Sequence, residues 1–483
     1  MRPKLELLTP ALVARILDEA FQLMQTPGIK VQSAEARQLL LAAGAAAEGD
    51  VLKIPEKVVR KSLETAPEKF YLYNRDGEPA VCYGGDAVHF DPGSSGVHIL
   101  DPETGEHKPS YTSDLVRIVK TAEMLPQYAA QSTAVVCNEV PKAIGDLYRL
   151  YIVLLYSRKP IVTGSFAVKN LAVMFDMLAL FAGGREALAE KPQAVFDVCP
   201  SPPLIWSEFG ADNLIELARA GVPAQLISMP LAGAAAPVTL LGSVVQHAAE
   251  SLSGIAIHQL ANAGAPIVWG GAPAIFDMRR GTTPMGAIET AMIDAAYAQV
   301  GKSLNLPTHA YLGASDSKVV DAQAGMESGM TALVGALAGI NMISGAGMLD
   351  FLACQSPEKL VVDAEAIAMA QRLVSGIEVR TETLATALFE GINFKGDFLK
   401  QKVTRDLFSK EQVLPSSVIN RDSIRGWQAS GSPDTFTRAK ARTRELLAAY
   451  EQPRYSPEQD HELRTMVENL ARKAGLDALP RLE

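Results

Sequence analysis

The feature that most constrains this 483-residue chain is an unbroken alternation of short apolar runs and longer helical stretches, which starts near Tyr111. Short apolar runs bounded by Gly, Pro or polar residues read as buried strands. Longer segments with apolar residues at three- and four-residue spacing read as helices. Residues 307–351 carry one full repeat. A strand over 308–312 is followed by a polar loop over 313–318. Asp321 is placed to cap a helix through Met326, Met330, Leu333, Val334 and Leu337. Gly339 ends that helix, 340–344 is the next strand, and a glycine-rich loop follows. Further strands are expected at 129–137, 161–166, 194–199, 224–229 and 267–270, with helices between them. Such a series demands a parallel sheet, and its length suits a closed (β/α)8 TIM barrel. An eighth strand is expected at 391–399. A doubly wound sheet is the rival, but no GxGxxG opens a helix after an early strand.

The flanks have a different texture. Three helices are expected over 9–25, 33–43 and 55–66, the first two capped by Thr9 and Ser33, with Pro10 at a first helical position. The segments FYLYNRDG, AVCYGG and AVHFDPG then alternate like strands and turns, and HILDPETGEHKPSY reads as a hairpin. The expected organisation is an α+β cap over 1–110, the barrel over 111–430 and a tail of two mixed-charge helices over 431–483.

Composition excludes several function classes. A net charge of −9 without a Lys/Arg-dense helix argues against nucleic acid. The four cysteines are far apart and form no CxxC, which suits reduced cytosolic thiols rather than a disulfide framework. The N-terminus lacks an apolar signal core, and Pro230 and Pro237 interrupt the one alanine-rich stretch, so a cytoplasmic protein with no membrane partner is expected. HExxH, GxSxG and Walker A motifs are missing, and the seven histidines are scattered, so no metal site of the chain's own is expected.

In a TIM barrel, chemistry sits where strands end and loops begin. The polar and aromatic residues after the expected strands are therefore the site candidates. They include Gln131, Trp269, Phe276, Arg279, Arg280, His309, Tyr311, Lys318 and Ser344. Trp269 and Tyr311 either contact substrate or fill the core. Arg279 and Arg280 either clamp a carboxylate or phosphate, or are solvated.

The motifs YLGASDSKVVDAQAGMESGMTALVGALAGINMISGAGMLDF, MPLAGAAAPVTLLGSVVQHAAESLSGI and PIVWGGAPAIFDMRRG resemble the trimethylamine:corrinoid methyltransferase superfamily. So do DPETGEHKPSYTSDL near the start and NRDSIRGWQASGSPDTFTRA near the end. The resemblance spans nearly the whole chain. It implies a TIM barrel that moves a methyl group from an amine to Co(I) of a separate corrinoid protein. The founding trimethylamine enzymes carry pyrrolysine, whose imine is thought to act on the amine lone pair. This sequence has none. A quaternary ammonium lacks a lone pair and departs as a neutral tertiary amine, so the resemblance to the pyrrolysine-free branch implies a quaternary amine: glycine betaine, proline betaine, carnitine or a relative. Trp269, Phe276 and Tyr311 then become candidates for an aromatic box around the trimethylammonium, with Asp91 adding charge complementarity. Arg279, Arg280, His309 and Lys318 become candidate donors to a substrate carboxylate, and Gln131 and Ser344 remain polar rim positions. No catalytic residue is transferred. The cofactor is a corrinoid held by the partner protein, and a homo-oligomer is expected. The alternatives are a pyrrolysine-free trimethylamine methyltransferase and a non-catalytic barrel that binds a quaternary amine.

Overall fold

The computed structural model describes residues 2–391, 394 and 396–482. Eight short parallel strands organise them: β1 (His89–Pro92), β2 (Gln131–Ser132), β3 (Ile161–Thr163), β4 (Ala194–Val198), β5 (Ala224–Leu226), β6 (Ile267–Val268), β7 (His309–Tyr311) and β8 (Met342–Ala346). Strands β2 to β6 form one parallel sheet and β7, β8 and β1 another. The sheets meet at both edges. Trp269 bridges Thr308 in parallel next to β6 and β7, and the Ala129 N–H donates to the Phe90 carbonyl at 2.9 Å between β2 and β1. The result is a mixed α/β architecture with a barrel-like arrangement of parallel strands.

A helix follows each strand: α1 (Thr112–Glu123), α2 (Gly145–Tyr156), α3 (Val168–Ala182), α4 (Glu208–Ala220), α5 (Leu240–Ala261), α6 (Ile288–Ser303), α7 (Ala322–Leu337) and α8 (Pro357–Ser375). Asp321 caps α7 through a 3.0 Å bond from the Ala324 N–H, and Gly339 follows with φ 69°, as the sequence implies. Tyr111 occupies the N-cap of helix α1, and the Asp114 carboxylate accepts from the Tyr111 N–H.

The eighth strand is a correction. Residues 391–399 contribute no strand among those described, and Asp397–Lys400 is a short 3-10 helix. Ile392, Asn393 and Lys395 lie outside the described residues. The missing strand is β1, from the segment AVHFDPG, which pairs in parallel with β8 in the register Ile343–Phe90 and Ser344–Asp91. A four-residue strand shows no period that separates a barrel stave from one arm of a hairpin, and its partner lies some 250 positions later.

Alternation along each strand sorts side chains to the two faces. Ala194, Phe196 and Val198 of β4, and Ile343 of β8, point outward into the core beneath the helices. Val195 and Met342 point inward, where they pack with Val162, Val268 and Leu72, Val81 and Tyr83. The last three come from the antiparallel hairpin Phe70–Tyr73/Pro79–Tyr83, which plugs the N-terminal end of the strand array. Helix Pro10–Gln25 packs on α5, and helix Thr435–Ala449 packs on α8 and α1.

Candidate active site

One step further along the same strands, the inward positions become polar. Asp197 stands two residues after Val195, and Ser344 two residues after Met342. His309 and Tyr311 share the inward face of β7, with ring centroids 5.0 Å apart. The register that pairs Tyr311 with Ser344 and Ser344 with Asp91 draws all of these groups together near the C-terminal ends of the strands.

Their hydrogen bonds form two branches. In the first, Ser344 Oγ donates to Asp91 Oδ1 at 2.5 Å, and His309 Nε2 lies 3.0 Å from Ser344 Oγ. Since Ser344 spends its proton on Asp91, His309 bonds through a protonated Nε2. Burial pushes the His309 pKa down to about 3, so the ring is neutral. Its Nδ1 and Asp91 Oδ2 are buried without partners. In the second branch, Tyr311 OH donates to Asp197 Oδ2 at 2.9 Å and Gln225 Nε2 to Asp197 Oδ1 at 2.7 Å. Tyr83, at the open end of the plugging hairpin opposite Phe70, donates to Gln225 Oε1 at 2.9 Å.

No basic side chain pairs with either carboxyl among the described residues. Burial raises Asp197 to about 7, against the bonds from Gln225 and Tyr311 that oppose the rise. Burial raises Asp91 well above the usual carboxylate range, and the charge on Asp197 adds to it. Two carboxyls in one dry mouth lacking a counter-cation are an arrangement that an incoming cation stabilises.

Arg149 is the third unusual group. It is the one basic residue in GDLYRLYIVLLY, every residue of which is buried in α2, and it is 1% exposed. Its Nη1 donates to the Thr133 carbonyl at 3.0 Å and to Ser95 Oγ at 3.2 Å, while Nε has no partner. The ring of Phe166 covers the guanidinium at 4.6 Å. Ser95 is held in the left-handed region at φ 62°, and the hydroxyl of its neighbour Ser94 sits 3.2 Å from Tyr311 OH.

Of the residues expected at the site, Asp91, His309, Tyr311 and Ser344 come together. Phe276 is half-buried beyond the pair Leu231–Ala232/Ala274–Ile275, which continues β5 and β6 past the wall. The others are corrections. Trp269 points outward: its Nε1 donates to the Tyr297 carbonyl of α6 at 2.9 Å, and a Cβ on Gly301 would lie 2.5 Å from its ring. Gln131 opens β2 and turns to α1, donating to the Val119 carbonyl at 3.0 Å. Arg279 is 89% exposed and paired with Asp277 at 3.1 Å, and Arg280 is exposed beside it. Lys318 is tied to Asp350 at 3.5 Å and lies 3.9 Å over the Phe351 ring. Asp197, Gln225 and Arg149 were missed. A carboxylate in the apolar run AVFDV and an arginine in an apolar helix were the available signals.

No group of three or more His, Cys, Asp or Glu among the described residues is placed to hold a metal ion. No helix among them is long and apolar enough to cross a membrane.

A parallel α/β scaffold whose strand ends converge on a polar mouth defines an enzyme-like architecture, and the fold itself is found in solved structures. The chain superposes on the monomethylamine methyltransferase MtmB of Methanosarcina barkeri with a TM-score of 0.53 at 11% identity, covering 90% of this chain and 87% of that one. A family model described as trimethylamine methyltransferase (MTTB) matches residues 1–476. The protein belongs to that family and is a methyltransferase. It is 30% identical to trimethylamine methyltransferase MttB of Desulfitobacterium hafniense (strain DSM 10664 / DCB-2) over 89% of this chain and 86% of the relative. It is 33% identical to the MttB of Methanosarcina thermophila over 88% and 89%. It is 29% identical to a glycine betaine methyltransferase of Desulfitobacterium hafniense (strain Y51) over 98% of both chains.

Proposed function

We propose that the chain transfers a methyl group from a quaternary amine to Co(I) of a separate corrinoid protein, within an eight-stranded barrel that starts at His89. The observation that carries this reading is the pair of buried Asp91 and half-buried Asp197 beside Tyr311, without a basic partner among the described residues. A quaternary ammonium offers no hydrogen-bond donor, so aromatic faces and uncompensated carboxyls are what recognise it. The absence of pyrrolysine from the sequence and the near full-length similarity to a glycine betaine methyltransferase support the same class.

The residues of the mouth fit a docked corrinoid protein. Val97, Phe166, Met229, Met278 and Val319 are exposed in the segments that follow the strands, an apolar rim such as a protein partner covers. The corrinoid, when docked, supplies the nucleophile. The chain's own work is positioning. Asp91, Asp197 and Tyr311 hold the ammonium with one N–CH3 bond aimed at the mouth, and the electron pair of the broken bond leaves with the amine. The hairpin plug closes the opposite end, so the acceptor approaches from the rim alone. No proton transfer is required, which agrees with a neutral, immobilised His309.

A second reading, methyl transfer from trimethylamine, is favoured by the names of the 30–33% identical relatives. One anaerobic assay separates the two. Loss of Co(I) absorbance is followed with glycine betaine, proline betaine, carnitine, tetramethylammonium or trimethylamine. Turnover with a quaternary amine but not with trimethylamine is expected, and the reverse pattern refutes the proposal.

A further inference from the structure

Arg149 has no role in the positioning just described, yet it is the most enclosed cation near the mouth. Its two hydrogen-bond acceptors, Ser95 Oγ and the Thr133 carbonyl, are neutral. The nearest carboxylate on its own helix, Asp146, is committed elsewhere. It accepts from the Phe166 N–H at 2.6 Å, from the Leu147 N–H at 2.9 Å and from Asn170 Nδ2 at 2.9 and 3.1 Å. Those bonds fix the loop that lays Phe166 over the guanidinium. A buried charge with neutral partners and an idle Nε is costly unless something completes it.

The carboxyl end of the mouth has the complementary defect. Asp91 and Asp197 face no cation, and burial holds both pKa values up. The two ends are close. Ser94 touches Tyr311, which donates to Asp197, and the next residue, Ser95, accepts from Arg149. Adjacent residues of one turn, Ser94 and Ser95, therefore serve the carboxyl branch and the guanidinium. Both charge types border the same short segment, as the ends of a small zwitterion require.

We propose that Arg149 anchors a carboxylate on the substrate, so that the amine is a zwitterion with its ammonium toward Asp91 and Asp197 and its carboxylate toward the guanidinium. This rests on the quaternary-amine reading and narrows it to betaines. A guanidinium offers a carboxylate two parallel donors, a geometry that a lysine does not reproduce.

The test is calorimetric titration of the full chain, without a corrinoid protein, with glycine betaine, with choline (a hydroxyl replacing the carboxylate) and with tetramethylammonium. Wild type is expected to bind betaine at least tenfold tighter than either carboxylate-free ligand. Arg149→Ala is expected to weaken betaine about ten- to a hundred-fold while leaving choline and tetramethylammonium within about twofold. Arg149→Lys is expected to fall between. An equal loss for all three ligands in Arg149→Ala makes the arginine a brace for the Ser94–Ser95 turn and overturns the proposal. So does a wild type that binds the three ligands equally. Binding of trimethylamine with none of the three defeats the quaternary-amine reading itself, a pattern distinct from the other two. Circular dichroism and a thermal melt establish that Arg149→Ala is folded. If it is not, the wild-type ligand series and Arg149→Lys decide.

Discussion

The strand array has two inner halves made from the same strands two residues apart, and they are built on opposite principles. The half nearer the N-terminal end is apolar: Val162, Val195, Val268 and Met342 close on the hairpin residues Leu72, Val81 and Tyr83. The half nearer the C-terminal end is polar: Asp91, Gln225, His309 and Ser344 are buried and Asp197 is half-buried. The first half gains stability from apolar burial. The second loses part of it by holding carboxyls away from water, one with an orphan oxygen. Tyr83 spans the two, with its ring in the apolar layer and its hydroxyl on Gln225. One half holds the strands in register so that the other can keep an unsatisfied site.

The largest effect is expected in the apolar half. Met342→Ala removes a fully buried side chain and is expected to cost about 2–5 kcal/mol of unfolding free energy. Urea denaturation reads that loss, and amine binding per folded molecule should not change. The polar half should respond in the opposite sense. Asp91→Asn keeps an oxygen for Ser344 and puts an amide where Oδ2 has no partner. Quaternary-amine affinity is expected to fall about ten- to a hundred-fold, as for loss of one charge-assisted contact, while the melting temperature holds or rises. A drop in both would place Asp91 with the stabilising half.

A pH titration sharpens the contrast with a smaller effect. Asp197 is held at about 7 against an ordinary 3.8. Between those values the folded chain keeps a proton that the unfolded chain has released. The Asp197 contribution to stability is therefore full below 3.8, is lost as pH rises to about 7 and is flat above it. Binding of tetramethylammonium runs the other way, because the ionised carboxylate attracts it. Affinity should rise by up to about tenfold per pH unit below 7 and level off above. Asp197→Asn should flatten both curves. The smallest effect is expected outside both halves: Arg279→Ala, on an exposed loop, should leave the urea midpoint and the amine KM unaltered.

The seven strand–helix repeats were legible because each strand is a bounded apolar run and each helix is long enough to carry its period. The eighth strand was not. His89–Pro92 is only four residues long, mixes His and Asp with its apolar positions, and has strand character only through its pairing with β8. The site divided in the same way. Tyr311, His309 and Ser344 were legible as candidates because they lie in strands the pattern located. Trp269 was misassigned because β6 is two residues long and the register that turns its indole toward α6 is set by packing on Gly301. The Arg279–Arg280 loop looked purposeful because two adjacent charges suggest a clamp, but Asp277 takes up Arg279.

The sequence by itself determined the parallel α/β class, the order of its elements and, through motif resemblance, the family. Those properties reside in local periodicity and in short contiguous motifs. The tertiary structure decided which strand completes the array and which polar residues meet in its mouth. The inward face of each strand depends on a one-residue register that no local pattern fixes in strands of two to five residues. The pairing of Asp91 with Ser344 exists only after segments some 250 positions apart have been brought into contact, and the neutral hydrogen-bond partners of Arg149 come from the loops at Ser95 and Thr133.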